Sequence, residues 1–106
     1  LKDRILLEMA DALENGTKTI IKENKKDIKY AKANNISEAL IDRLLLNETR
    51  IKSMATALRE IATLKNPVGR ILEGWELPNG LRIEKTAVPI GVIGIIYESR
   101  PNVTSD

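Results

Sequence analysis

Ile90-Gly-Val-Ile-Gly-Ile-Ile-Tyr97, within VPIGVIGIIYESRPNVTSD (Val88 to Asp106), carries apolar residues at odd and even positions alike. A half-buried strand alternates apolar with polar, whereas a strand covered on both faces reads continuously apolar, as in the parallel sheet of an α/β protein. Such a strand needs parallel neighbours and flanking helices, and the rest of the chain decides whether it has them.

Upstream, the first two-thirds reads as helix. From Lys2 to Glu14, Leu6, Met9, Ala10 and Leu13 fall at helical spacing, and Asn15-Gly16 is expected to stop the run. Thr17 is expected to cap a second helix to about Ala33 with a buried face of Ile20, Ile21, Asn24, Ile28 and Ala31, ended by Asn34-Asn35. Ser37 would cap a short helix, Glu38 to Leu45, and Asn47 a fourth, Glu48 to about Leu64. The fourth has the cleanest apolar stripe: Ile51, Met54, Ala55, Leu58, Ile61 and Ala62. Asn66-Pro67-Val68-Gly69 then turns the pattern from helix to extended chain. WELPNGLRI, Trp75 to Ile83, predicts a hairpin around Pro78-Asn79-Gly80, with Trp75, Leu77, Leu81 and Ile83 on one face and Glu76, Arg82 and Glu84 on a wet one.

No second continuously apolar strand is available to pair with residues 90–97, so their sheet is expected in later sequence or another chain. The chain also begins with Leu, and a preceding segment is expected. It reads as a fragment of a larger α/β enzyme. Its parts are a helical region over 1–65, a linker and hairpin over 66–89, and the first strand of a nucleotide-binding sheet with its following loop over 90–106.

Composition narrows the chemistry. Among 106 residues, 17 Lys and Arg stand against 15 Asp and Glu, giving a net charge of +2, which offers little to nucleic acid. With neither cysteine nor histidine, these residues offer no disulfide, no thiolate nucleophile or thiolate metal site, no Ser–His or Cys–His pair and not the commonest metal ligand. The apolar run is about half the ~20 residues that span a bilayer, and no signal peptide is visible. Lys18, Lys22, Lys25, Lys29 and Lys32 share one face of the second helix; with Glu23 and Asp27 beside them, they read as a solvated face rather than a phosphate track. Gly91 and Gly94 lie inside the strand and do not form a dinucleotide fingerprint.

The loop Glu98-Ser99-Arg100-Pro101-Asn102-Val103-Thr104 follows the strand's carboxyl end, where open α/β sheets bind ligands. Arg100 could pair with phosphate or carboxylate, Asn102 could donate to a developing oxyanion, and Thr104-Ser105 could begin a helix. An ordinary turn, shaped by Pro101 and with Asn102 capping the next helix, accounts for the spacing equally well. The Trp75 hairpin is either a surface flap or an addition to a partner's sheet; the second is favoured, because an isolated two-stranded ribbon is marginal in water.

YESRPNVTSD, preceded by LPNGLRIEK and NPVGRILEGW and, further upstream, by SEALIDRLLLNETRI and MATALREIATL, resembles the γ-glutamyl phosphate reductase (glutamate-5-semialdehyde dehydrogenase) family of the aldehyde dehydrogenase superfamily. The resemblance covers essentially the whole chain. It implies an aldehyde-dehydrogenase-like α/β fold and reduction of L-glutamyl 5-phosphate to L-glutamate 5-semialdehyde with NADPH, a step of proline biosynthesis in the cytoplasm. It also implies that Asn102 is the catalytic oxyanion donor, since related acylating members carry Asn-Pro-Thr-Ser where this chain has Asn102-Val103-Thr104-Ser105. Tyr97, Glu98, Ser99, Arg100 and Pro101 would lie along the cofactor cleft. The ribbon would join a neighbouring subunit in a homo-oligomer, and no nucleic-acid or membrane partner is implied. The family's cysteine nucleophile lies in later sequence, so these 106 residues alone are expected to be inactive. The alternatives are another acylating aldehyde dehydrogenase, the reductase half of a bifunctional synthase, or a helical binding module using its lysine face.

Overall fold

The computed structural model describes residues 1–105, leaving Asp106, the end of the 90–106 segment, outside the described residues. Its elements are α1 (Lys2–Asn15), α2 (Thr17–Ala33), α3 (Glu38–Leu44), α4 (Glu48–Ala62), β1 (Ile71–Glu76), β2 (Arg82–Thr86) and a single 3-10 turn, Pro101–Thr104. They fall into two compact units, residues 1–64 with the stretch from Ile96 onward, and residues 65–95.

In the helical unit, α1 lies against α4, with Ala10, Ala55 and Leu58 buried between them and Leu6 and Leu13 alongside. The two alanines keep the backbones close, as ridge-into-groove packing requires where helices cross tightly. A second cluster, Leu46, Ile51 and Met54, takes in Leu13, Ile20 and Ile21 and so ties α2 to the same core. The expected stripe of α4 is buried at Ile51, Met54, Ala55 and Leu58, whereas Ile61 remains exposed near the helix end. There the closing turn tightens, with Thr63 and Leu64 donating to Glu60 and Ile61, and the helix ends at Ala62 rather than Leu64.

Helix ends follow the sequence with two corrections. Gly16 is right-handed (φ −83°) and serves as both the last cap of α1 and the first of α2, its carbonyl accepting from Ile20 at 3.0 Å. A β-carbon there would meet the Ala12 carbonyl oxygen at 3.0 Å, so close approach rather than a left-handed stop accounts for the glycine. Thr17, expected to cap, lies inside α2 and donates its hydroxyl back to the Leu13 carbonyl. Asn35, at φ +53°, ends α2 as a Schellman motif, with Ile36 donating to Ala31 and Asn35 to Lys32. Ser37 occupies the N-cap position of α3 without a side-chain bond, whereas Asn47 accepts from the Arg50 amide at 2.8 Å, as expected of a cap.

Arg59 of α4 holds α1 from outside, donating to Glu14 at 3.0 and 2.8 Å and to Asp11 at 2.8 Å. These bonds, chiefly hydrogen bonding from the guanidinium, hold the Glu14 carboxyl below its ordinary pKa. Because the folded value is the depressed one, its contribution to stability is present above the unfolded carboxylate pKa and lost as pH falls through the folded value. Thermal unfolding of the wild type and of Arg59→Ala should therefore differ most near neutrality and converge in acid, once pH has fallen through the folded value. An equal difference at both pH values would show that the contact acts through packing alone.

The second unit is the ribbon. β1 and β2 pair antiparallel with Trp75 opposite Ile83, Gly74 opposite Glu84 and Glu76 opposite Arg82, and a bulge falls between Ile71 and Glu73. The register sorts Trp75 and Ile83 onto one face and Glu76, Arg82 and Glu84 onto the other, as the alternation predicts. Its apolar side is not covered, however, and Trp75 is 48% exposed. The turn closes with Gly80 donating to Leu77 and Leu77 to Leu81, both at 2.8 Å, and Gly80 sits at φ +83°. Gly80→Ala should cost about 1–2 kcal/mol of hairpin stability, the left-handed penalty of a β-carbon, with Gly80→Asn losing less. Equal tolerance of both in a denaturation series would contradict the turn geometry.

Residues 87–98 form no strand, although a strand is expected at 90–97. Val92 and Ile96 are as exposed as in an extended peptide. A strand exists only by pairing, and the described residues supply no partner to this run; the two strands that do form pair with each other.

Candidate functional site

The loop that follows the apolar run is shaped locally. Ser99 turns the chain at φ +56°, and Arg100 leads into the 3-10 turn with Pro101 at its first position, where a missing N–H costs nothing. The helical turn thus begins at Pro101 rather than at Thr104, and Asn102 lies inside it instead of capping a later helix. Val103 donates to the Arg100 carbonyl at 3.0 Å, and both the amide and the hydroxyl of Ser105 donate to the Asn102 carbonyl at 2.9 Å. Across the loop, the Tyr97 and Thr104 hydroxyls are 2.5 Å apart.

This loop borders a cleft of about 440 Å³ in the helical unit, whose walls include Arg100, Asn102, Arg43, Arg50, Asp42 and Ser53. Of the sequence-predicted residues, Arg100 and Asn102 therefore come together on one cleft. Pro101 lines a neighbouring, mostly apolar hollow with Leu13, Ile20 and Met54. Tyr97, Glu98 and Ser99 are exposed and line neither.

The opposite wall is built by two side-chain clamps. Asn24, 5% exposed on α2, donates its amide to the Leu44 carbonyl at 2.8 Å and accepts from the Leu46 amide at 2.7 Å. Both bonds satisfy backbone groups where the chain leaves α3, which explains a polar residue on the buried face of α2. Arg50 donates to the Asp42 carboxylate and the Leu45 carbonyl, each at 2.8 Å, and to the Asp42 carbonyl. Arg43 and Arg50 were not legible as site residues, because arginines on amphipathic helices usually face solvent and no spacing rule links them to residue 100. Among the described residues no group of histidine, cysteine and carboxylate side chains could hold a metal. No helix among them is long and apolar enough to cross a membrane.

No protein-family model matches the chain. Individual relatives do, by sequence and by backbone, and those compared are reductases. In sequence, the chain is 71% identical over 106 residues to the γ-glutamyl phosphate reductase of Nautilia profundicola, covering 100% of this chain and 26% of that protein. It is 61% identical over 105 residues to that of a Nitratiruptor species, again covering 26% of the relative. In structure, it matches the crystal structure of γ-glutamyl phosphate reductase from Thermotoga maritima with a TM-score of 0.86 at 43% identity, over 98% of this chain and 25% of the other. The Saccharomyces cerevisiae enzyme gives a TM-score of 0.88 at 32% identity, over 98% and 27%. The resemblance read from the loop motif is therefore borne out, and the chain spans about a quarter of the length of the relatives it matches.

Proposed function

We propose that the chain is the N-terminal part of an oxidoreductase of aldehyde-dehydrogenase-like fold that reduces L-glutamyl 5-phosphate to L-glutamate 5-semialdehyde with NADPH and releases phosphate. This is the cytoplasmic reductive step toward proline. The observation that carries the reading is the 71% identity extending over all 106 residues, loop motif included. In the longer protein a cysteine thiolate forms a C–S bond to the acyl carbon as the C–O bond to phosphate breaks. The thioester is then reduced to aldehyde and thiolate. Bound NADPH supplies the hydride for that second step.

The residues of this chain bind and orient. Asn102 donates its side-chain amide to the oxygen that gains charge at the acyl carbon in both steps. Tyr97, Glu98, Ser99, Arg100 and Pro101 flank the nicotinamide end of the cofactor; an exposed ring beside the left-handed bend at Ser99 suits the edge of a nucleotide. Residues 90–97 pair as the first strand of the nucleotide-binding sheet, which the exposure of Val92 and Ile96 supports. The uncovered apolar side of the ribbon supports its addition to a neighbouring subunit's sheet in a homo-oligomer.

The test is to give the longer polypeptide of this reading frame glutamate 5-semialdehyde, phosphate and NADP⁺ and to follow NADPH. Formation that needs phosphate and disappears on thiol alkylation is expected, with no turnover from the 106-residue chain alone. Turnover by that cysteine-free chain would overturn the mechanism.

A further inference from the structure

The cleft beside Asn102 carries three guanidinium groups, Arg43, Arg50 and Arg100, against one carboxylate, Asp42. That carboxylate is already spent on Arg50 at 2.8 Å. Arg50 is spent in turn, its fork divided between Asp42 and two backbone carbonyls. Among the described residues neither Arg43 nor Arg100 has an ion-pair partner. Helix-end chemistry does not account for Arg43 either, because the carbonyls of Asp42, Leu44 and Leu45 at the end of α3 are taken by Arg50 and Asn24. Two guanidinium groups lining one cleft, neither with an ion-pair partner among the described residues, make a site for a doubly charged oxyanion.

We infer that this cleft receives the phosphoryl group of the acyl-phosphate substrate, with Arg43 and Arg100 as its charged contacts and Arg50 as the positioning residue that fixes the wall. The inference rests on the functional reading above, in which Asn102 meets the acyl oxygen. The phosphoryl group is joined to that same acyl carbon through one bridging oxygen, whereas three carbons separate the acyl carbon from the α-carboxylate. The dianion therefore falls beside Arg100, two residues from Asn102, and the two guanidinium groups take up the charge as phosphate leaves with the bonding electrons. No proton transfer is needed for that departure.

The test uses the longer enzyme in the direction of NADPH formation, varying phosphate and glutamate 5-semialdehyde separately. Arg43→Gln and Arg100→Gln should each raise the KM for phosphate by about tenfold or more, the loss of one charge-assisted hydrogen bond, with the KM for semialdehyde within about twofold. Arg43→Lys should recover part of the loss. A rise in the semialdehyde KM with phosphate unaffected would place the α-carboxylate here and overturn the inference, as would no change in either. If the wild-type enzyme forms no NADPH that depends on phosphate, the functional reading itself fails, a result distinct from either variant outcome.

Discussion

Alanine at position 102 is expected to lower kcat of the longer enzyme by about 10²–10³-fold, with a much smaller change in KM for phosphate. The size follows from what Asn102 is asked to do. In the proposed reaction an amide donor beside the acyl carbon matters little to the bound acyl phosphate or thioester and much to the oxygen that becomes negative when thiolate or hydride adds. Alanine keeps the backbone carbonyl of residue 102, which accepts from the amide and hydroxyl of Ser105, and an unfolding midpoint measured beside kcat separates chemistry from folding. Asn102→Asp should be at least as damaging, since a carboxylate repels the developing oxyanion. A loss confined to KM would instead assign Asn102 to ground-state binding.

The second large effect is structural. Asn24→Ala should destabilise the helical unit by roughly 2–4 kcal/mol, because it strands the buried Leu46 amide, at about 1–3 kcal/mol, together with the part-buried Leu44 carbonyl, which costs less. Asn24→Asp retains an acceptor for Leu46 but loses the donor to Leu44, and should fall between alanine and wild type if its new charge is solvated. Urea midpoints at constant m-value measure both. The same clamp fixes the end of α3, next to Arg43, so Asn24→Ala should also raise the KM for phosphate. A stability loss below about 0.5 kcal/mol, the range of an ordinary surface change, would mean that water replaces the amide without cost.

Much of the helical unit is legible in the sequence, because burial imposes a period on Leu6, Ala10 and Leu13 and on Ile51, Met54, Ala55 and Leu58. Local chemistry marks the cap at Asn47 and the left-handed stop at Asn35, since each depends on residues within one turn. The glycine at position 16 misleads: the same residue serves a left-handed stop or a close approach, and only the Ala12 carbonyl across the turn decides between them. A strand at 90–97 is expected from composition and does not form among the described residues, because a continuously apolar run specifies burial without supplying a partner. Of the site, Arg100 and Asn102 are suggested by their place after that run and by the family motif. Arg43 and Arg50 are not, because the fold, not any periodicity, sets them on the same cleft as Arg100 and Asn102.

The most direct test is a structure of the longer enzyme trapped as its cysteine thioester with bound NADP⁺, which has no hydride to give. The Asn102 side-chain nitrogen is expected about 3 Å from the thioester oxygen, with Tyr97 to Pro101 along the nicotinamide. An Asn102 amide remote from that oxygen, with another donor in its place, would contradict the assignment of this loop to the reaction centre.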